Sequence, residues 1–217
     1  MLATLAGLSI LIVGDSHLSN AGYLIDSLHM PLVEAGAKVH SLGVCGSVPG
    51  DWTTTTQSHC GGAERVDAGP IKFIGSAAAT KPVKDVIAQE KINLIVVVQG
   101  DTIGGYKQAT YPRAWAYQQV SALTKDIAAS GVSCVWVGPA WGTEGGKFDK
   151  TYDGVKRVST FLASNVAPCT YIDSLNFSKP GQWRTVDGQH FTDSGYKQWG
   201  TALVKAIEES PAVPKKK

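Results

Sequence analysis

The sequence has little charge and no long hydrophobic run. Asp, Glu, Lys and Arg make up 18% of its 217 residues, against roughly 25% in ordinary soluble domains. The net charge is only +2 and the chain ends in three lysines, so the rest of it is near neutral. We therefore expect no nucleic-acid surface, which would need a basic patch or stripe. No apolar run reaches the roughly 18–20 residues that cross a bilayer, so we expect no membrane span.

Motifs for metals and organic cofactors are also missing. The cysteines form no CxxC pair, and a zinc site from Cys45, His59 and Cys60 would have no recognisable ligand spacing. Residues 142–147 resemble a phosphate loop only superficially, because no Ser or Thr follows Lys147. We expect no metal, no cofactor and no nucleotide.

The chain has four cysteines, Cys45, Cys60, Cys134 and Cys169. The first two bracket a Gly/Thr-rich loop, while Cys134 lies in a predicted strand and Cys169 just before another. We therefore favour disulfides Cys45–Cys60 and Cys134–Cys169. Because disulfides persist in oxidising compartments, this pairing favours a periplasmic or extracellular protein. The alternative is four reduced cysteines, two of them in the core.

The first 13 residues are apolar, like the core of a signal peptide. They have no basic segment in front and no cleavage site before Gly14-Asp15-Ser16, so we expect a strand here. Any export signal would then lie upstream of this chain.

Short β-branched runs alternate with longer segments of helical period. The predicted strands span 8–13, 37–42, 93–98, 132–137 and 170–172, and the predicted helices span 19–35, 81–91, 112–130, 150–164 and 192–209. This alternation predicts an α/β fold with a five-stranded parallel sheet and helices on both faces. We expect a single domain over residues 1–210, a long functional loop over 43–80, and a disordered tail over 211–217.

Polar residues follow the predicted strands, at the edge where open α/β sheets bind ligands. Gly14-Asp15-Ser16-His17 follows the first strand, and Asp187-Gly-Gln-His190 lies on a late loop at the same edge. A serine becomes a nucleophile when a base lies within reach and a third group fixes the tautomer of that base. The spacing lets Asp187 hold His190 Nδ1 while Nε2 faces Ser16, which predicts a catalytic triad. The alternative is that Gly14-Asp15-Ser16 is only a turn and a helix cap.

The oxyanion formed by attack would meet the backbone N–H groups of Ser16 and Gly46. With these blocks in place, the chain resembles the SGNH, or GDSL-type, hydrolases. Gly14-Asp15-Ser16 is similar to the first block of that family, Gly43-Val-Cys-Gly46 to the second, and Asp187-x-x-His190 to the last. The resemblance implies a flavodoxin-like three-layer sandwich and a serine esterase or acyl-transfer enzyme with Ser16, Asp187 and His190 as its triad.

The third block departs from this family, which has Gly-x-Asn and uses the Asn side chain as an oxyanion donor. This chain has Gln99-Gly100-Asp101-Thr102. An ionised Asp101 would repel the oxyanion, whereas a protonated one could donate to it. We expect Asp101 to complete the oxyanion hole through a raised pKa; otherwise Thr102 or Gln99 replaces it, or the hole relies on backbone donors.

Three of the six tryptophans, Trp52, Trp141 and Trp183, fall in loops at the predicted active-site edge. We expect them to bind substrate by stacking on sugar rings or lining an acyl pocket; the alternative is that they anchor the loops. No long apolar lid helix is visible, so a small acyl group fits better than a lipid.

Together these features predict an esterase that cleaves small acyl esters, O-acetyl groups above all, through an acyl-serine intermediate. The expected partner is a small-molecule ester or an acetylated carbohydrate; the sequence does not indicate an oligomeric state. Two alternatives stay open: an O-acetyltransferase of an exported polysaccharide, and a catalytically silent carbohydrate-binding domain.

Overall fold

One mixed sheet organises the part of the chain that the structure, a computed structural model, describes, which is residues 5–213. Its strands are β1 (Ser9–Gly14), β2 (Lys38–Val44), β3 (Gly62–Val66), β4 (Lys72–Ile74), β5 (Leu94–Val98), β6 (Ser133–Val137) and β7 (Thr170–Ile172). They lie in the order β4-β3-β2-β1-β5-β6-β7. Strands β2, β1, β5, β6 and β7 are parallel, as in flavodoxin-like folds, while β3 and β4 are antiparallel at one edge.

Helices cover both faces of this sheet. They are α1 (Leu24–Ser27), α2 (His29–Glu34), α3 (Val83–Glu90), α4 (Arg113–Ser130), α5 (Tyr152–Asn165) and α6 (Asp193–Glu208). Strand β1 alternates between two buried clusters: Ile10 and Ile12 pack with α1, α2 and α6, whereas Leu11 and Val13 pack with α3, α4 and α5. This arrangement confirms the predicted α/β three-layer fold.

The predicted five-stranded sheet is the parallel part of a seven-stranded one. The two additional strands, β3 and β4, lie inside residues 43–80, which the sequence pattern predicted to be a loop. Both strands are short, β4 lies at the edge of the sheet, and neither carries the β-branched apolar run that marks a buried parallel strand.

The helix predicted over residues 19–35 is broken into pieces. A 3₁₀ turn spans Ser16–Leu18, and α1 begins only at Leu24. Gly22 between them has a φ of +78°, in the left-handed region that a continuous helix does not contain. The Ser16–Leu18 turn therefore stays separate at the sheet edge, and the predicted helix is reduced to α1 and α2.

The end of the described chain is packed rather than disordered. Val213 is 4% exposed and belongs to the core cluster that contains α6. The predicted tail is therefore wrong for Pro211, Ala212 and Val213. Its remaining residues, 214–217, lie outside the described part of the chain.

Two glycines let the Ser16–Leu18 turn lie directly on the sheet edge. A Cβ on Gly43 at the end of β2 would overlap the backbone of Leu18, and one on Gly14 would come within 2.7 Å of the carbonyl oxygen of Val98. The carboxyl ends of β1, β2 and β5 consequently meet around this turn.

Both favoured disulfides are present, Cys45–Cys60 and Cys134–Cys169. Cys45 follows β2 at the carboxyl edge of the parallel strands, whereas Cys134 lies near the amino end of β6. The two cross-links therefore sit at opposite edges of the sheet. Among the helices of residues 5–213, none combines the length and the apolar character needed to cross a bilayer.

We expect each disulfide to stabilise the fold by restricting the unfolded chain. The cross-links span 15 and 35 residues, so replacing the pair with serines should lower the free energy of unfolding by about 3 kcal/mol for Cys45–Cys60 and about 4 kcal/mol for Cys134–Cys169. Urea unfolding followed by circular dichroism measures both losses. Four free thiols in denatured, unreduced protein would contradict this expectation.

Candidate active site

Ser16 begins the 3₁₀ turn that follows β1. The side chain of Asp15 caps this turn by accepting a hydrogen bond from the His17 N–H at 3.0 Å. The carbonyl oxygen of Ser16 accepts one from the Ser19 hydroxyl, also at 3.0 Å. Both bonds hold the peptide group that joins Ser16 to His17, and the side chain of Ser16 faces a surface pocket.

His190 and Asp187 lie on a tight loop before α6. The loop is closed by the Val186 N–H, which donates to the His190 carbonyl oxygen at 2.8 Å. Asp187 Oδ1 accepts from the backbone N–H groups of Gln189 and His190, at 3.0 and 2.8 Å. The backbone of its own loop thus fixes the orientation of the Asp187 carboxylate.

The structure brings Ser16, His190 and Asp187 into one line of hydrogen bonds. His190 Nε2 lies 2.7 Å from Ser16 Oγ, and His190 Nδ1 lies 2.7 Å from Asp187 Oδ2. With Asp187 ionised, Nδ1–H donates to the carboxylate and Nε2 is left to accept the serine proton. These are the contacts that the predicted triad requires.

The surroundings favour this protonation pattern. Burial lowers the pKa of His190 below its ordinary 6.5, and the nearby His17 lowers it further, while Asp187 opposes them. Partial burial would raise the pKa of Asp187, but the hydrogen bonds from His190 and Gln189 hold it below its ordinary value. Near neutral pH the imidazole is therefore a free base beside an ionised carboxylate.

A second loop, residues 142–150, braces the loop that carries Asp187 and His190. Lys147 N–H donates to the Asp187 carbonyl oxygen at 2.9 Å, and Thr143 N–H donates to the Gly188 carbonyl oxygen at 2.9 Å. Gly146 has a φ of +72°, and a Cβ there would overlap the backbone of Asp187. The two loops can approach this closely only because glycine lies at the contact.

Two residues of the pocket, Ser16 and Gly46, have backbone N–H groups that are available for a ligand. Within residues 5–213, the N–H groups of Ser16 and Gly46 donate to no backbone or side-chain acceptor. Gly46 has a φ of +77° and follows Cys45, whose disulfide with Cys60 lines the same pocket. Unpaired N–H groups in the same pocket as a serine hydroxyl are candidates for holding a developing oxyanion.

Asp101 is placed differently from the predicted oxyanion donor. Burial would raise its pKa, but Lys150 and His17 hold the pKa well below the ordinary value. Its Oδ2 accepts from His17 Nε2 at 2.8 Å, its Oδ1 accepts from the Tyr106 hydroxyl at 2.6 Å, and Lys150 Nζ contacts both oxygens. The prediction of a protonated, donating Asp101 is therefore wrong.

The two substitutes considered for Asp101 are not free to replace it. The side-chain amide of Gln99 is buried within hydrogen-bond distance of Ser47 Oγ at 3.1 Å and of Thr102 Oγ1 at 3.0 Å. These three side chains satisfy one another. Of the three possibilities from the sequence, the one consistent with this arrangement is an oxyanion hole of backbone donors.

The three tryptophans predicted to bind substrate are buried instead. Trp52 is fully buried in the core beneath the helices, and Trp183 packs edge-on against Phe191. Trp141 is 9% exposed, and its Nε1 donates to two backbone carbonyl oxygens, of Leu175 and Ser178. Their substrate-binding role is wrong: all three anchor loops, the alternative that the sequence left open.

Other side chains line the pocket over Ser16. The pocket has a volume of about 470 Å³, and its walls include Tyr106, Phe148 and the Cys45–Cys60 disulfide. Phe148 also packs edge-on against the His190 ring, with centroids 5.5 Å apart. Sequence reasoning missed Tyr106 and Phe148 because they follow no predicted strand directly, and it gave the aromatic lining of the site to tryptophans instead.

Lys150 and His17 are buried polar residues near Ser16, and the sequence gave no indication that Lys150 would lie here. Lys150 ends the bracing loop and is 1% exposed. His17 lies between Asp101 and the Tyr196 hydroxyl, which is 2.8 Å from its Nδ1. Asp15 is also fully buried; burial raises its pKa to about 6, and its Oδ2 has no hydrogen-bond partner in the described structure. Four buried ionisable residues thus lie close to Ser16: Asp15, His17, Asp101 and Lys150.

No protein-family model matches the chain. It is 36% identical to protein BcsX of Komagataeibacter xylinus over 223 residues, a match that covers 99% of this chain and 84% of that protein.

Solved structures of esterases and related hydrolases share the fold at low sequence identity. A protein from Slackia heliotrinireducens described as an SGNH hydrolase has a TM-score of 0.60 at 18% identity, over 92% of this chain and 98% of its own. A peptidoglycan O-acetylesterase has a TM-score of 0.60 at 12% identity, over 96% and 93% of the two chains. An acetyl xylan esterase has a TM-score of 0.59 at 13% identity, over 92% and 100%.

These structures show the fold, and the similarity to BcsX over nearly the whole chain shows the family. The chain therefore belongs to the family of protein BcsX and has the fold and the sequence blocks of the SGNH, or GDSL-type, hydrolases.

Proposed function

We propose that this protein is a serine esterase that removes small acyl groups, O-acetyl groups above all, from carbohydrate. The observation that carries the proposal is the hydrogen-bonded line Ser16–His190–Asp187, in a pocket that is also lined by Gly46, whose N–H is unpaired like that of Ser16. A nucleophile, its base, an orienting carboxylate and oxyanion donors are the parts that acyl transfer needs.

In the first half-reaction, Ser16 Oγ attacks the ester carbonyl carbon as His190 Nε2 accepts the serine proton. The carbonyl oxygen becomes an oxyanion held by the N–H groups of Ser16 and Gly46. The intermediate then expels the alcohol, which takes the proton from His190 and leaves an acyl-serine. Asp187 stays ionised throughout and stabilises the imidazolium.

In the second half-reaction, water attacks the acyl-serine. His190 accepts a proton from this water and returns it to Ser16 Oγ as the acid is released. A sugar hydroxyl in place of water would make the same intermediate an acetyltransferase step. The acceptor therefore separates the hydrolase from the transferase, and product analysis with added oligosaccharides distinguishes them.

Two observations support a small acyl group on a sugar. The pocket over Ser16 is open and about 470 Å³ in volume, with Tyr106 and Phe148 as aromatic walls. Structures with this fold include proteins described as an acetyl xylan esterase and a peptidoglycan O-acetylesterase. The two disulfides further support a place of action in an oxidising compartment, the periplasm or the cell exterior.

Substitution of the proposed triad should remove turnover without unfolding the protein. With p-nitrophenyl acetate as substrate, Ser16→Ala and His190→Ala should each lower kcat by about 10⁶-fold, and Asp187→Asn by about 10⁴-fold. Ser194→Ala, which alters an exposed serine on α6, should behave like the wild type. Turnover that survives Ser16→Ala in a folded sample would overturn the role of Ser16 as the nucleophile. Absence of turnover in folded wild-type protein would instead leave the silent binding domain as the better explanation.

The pH dependence should report His190 as the base. Because the pKa of His190 lies below 6.5 and only its neutral form accepts the serine proton, kcat/KM should fall as pH drops below 6.5 and stay level above it. Asp15, with a pKa raised to about 6, titrates in the same range, so Asp15→Asn identifies the group responsible. Loss of the acid limb in Asp15→Asn would contradict the assignment to His190.

The Cys45–Cys60 disulfide should matter for activity as well as stability. It cross-links the loop that presents the Gly46 N–H, and Ser58 Oγ donates to the Cys45 carbonyl oxygen at 2.8 Å in the same loop. Replacing both cysteines with serines should lower kcat by about 10-fold or more with little change in KM, since one oxyanion donor becomes less well positioned.

The matched control is the Cys134–Cys169 pair at the opposite edge of the sheet. Its removal should lower stability but leave kcat of the folded protein unchanged. Equal effects of the two double variants on kcat would contradict a local role for Cys45–Cys60.

A further inference from the structure

A buried ion pair lies directly under the proposed active site and has no part in the steps above. Lys150 Nζ is 2.8 Å from Asp101 Oδ1 and 2.9 Å from Oδ2, and each side chain is only 1% exposed. Burying a charge raises the free energy of the folded state unless the charge is paired and hydrogen-bonded. A buried ion pair at this position therefore suggests a functional role.

Asp101 is committed to acting as an acceptor. Besides Lys150, its oxygens accept hydrogen bonds from His17 Nε2 and the Tyr106 hydroxyl. Through His17, the residue after the proposed nucleophile, Asp101 helps to hold the turn that presents Ser16. The carboxylate is therefore useful for positioning, and it must stay ionised to make these contacts.

An ionised carboxylate in this place would also oppose the proposed reaction. Asp101 lines the same pocket as Ser16 and Gly46, where the oxyanion of the proposed reaction would form. Like charges repel strongly where water is excluded, and the barrier to oxyanion formation would rise. A carboxylate in this place therefore needs its charge to be compensated.

Resting on the proposed function, we infer that Lys150 balances the charge of Asp101 during acyl transfer. The ammonium group binds both carboxylate oxygens, so the pair presents no net charge to the oxyanion. Lys150 is in this sense a positioning residue: it acts through Asp101 and allows a carboxylate to occupy the third block while the N–H groups of Ser16 and Gly46 hold the oxyanion.

A purely structural role for Lys150 makes a different prediction. Lys150 ends the bracing loop, so its ion pair with Asp101 also ties that loop to the sheet edge. If anchoring were its only role, removing both charges would harm activity as much as removing the lysine alone. If charge balance is its role, removing both charges should restore activity.

The test compares Lys150→Met, Asp101→Asn and the double variant, with p-nitrophenyl acetate as substrate and thermal unfolding as the measure of folding. Methionine keeps the length and the apolar stem of the lysine. We expect Lys150→Met to lower kcat by about 100-fold, the loss typical of one oxyanion-stabilising group, with little change in KM. The double variant should recover to within about 10-fold of wild type, because no charge remains at the pair.

The single variants leave one buried charge unpaired and are at risk of unfolding. The double variant has no such charge, and Lys150→Arg keeps the cation, so these two folded proteins test the proposal by themselves. Lys150→Arg should retain most activity. Lys156→Met, an exposed lysine on α5, is the control and should leave kcat unchanged.

A pH profile adds a readout that loop anchoring would not move. Asp101 faces Lys150, His17 and Tyr106, with Asp15 and His190 near enough to interact. Without Lys150 the pKa of Asp101 rises, because burial is then less opposed. The ratio of Lys150→Met activity to wild-type activity should therefore increase as pH falls, while Asp15 and His190 titrate in both proteins.

A double variant about 100-fold slower than wild type would overturn the charge-balance proposal and favour an anchor. Lys150→Met with wild-type kcat would also overturn it, while leaving the esterase proposal intact. Absence of Ser16-dependent turnover in the wild type would overturn both, so the failures of the two proposals are distinguishable.

Discussion

The hydrogen bond between Ser16 Oγ and His190 Nε2 is the contact on which the rest of the site depends. It is 2.7 Å long and joins residues 174 positions apart in the chain. The parallel sheet makes it possible by bringing the end of β1 and the late loop to one edge. The glycine contacts between residues 142–150 and the Asp187 loop then hold the imidazole in place.

Several ionisable side chains are buried close to Ser16, although the chain has few charged residues overall. Asp15, Asp101 and Lys150 are buried there, in a protein whose charged residues amount to only 18% of the sequence. Each buried charge opposes folding unless a partner offsets it, so this cluster is retained at a cost to stability. In our account the cluster holds the Ser16 turn rigid and keeps the pocket electrically balanced.

Much of the fold was predictable because parallel β-strands carry a strong local pattern. Short β-branched runs predicted all five parallel strands. The polar residues that follow these runs in the sequence predicted the positions of Ser16, Asp187 and His190. Strands β3 and β4 were not predictable in this way, since they are only five and three residues long and carry no β-branched apolar run. They pair only because β2 offers a free edge, which is a property of the assembled sheet.

The wrong predictions at the site also concern contacts between segments that are distant in sequence. Asp101 was expected to be protonated because its cationic partner, Lys150, is 49 residues away in sequence. Trp52, Trp141 and Trp183 were expected to face substrate because they lie in loops, yet their burial depends on packing between distant segments. Composition and spacing identify which groups are present, whereas the three-dimensional structure decides which of them meet.

The most direct test of the central claim is to label the nucleophile covalently, because an activated serine displaces fluoride from a fluorophosphonate and keeps the phosphonyl group. Wild-type protein and Ser16→Ala would be treated with a fluorophosphonate, and intact mass and peptide mapping would locate the label. The account predicts one label per chain, on Ser16, and none on the variant. Labelling elsewhere, or no labelling of folded wild-type protein, would contradict a nucleophilic Ser16.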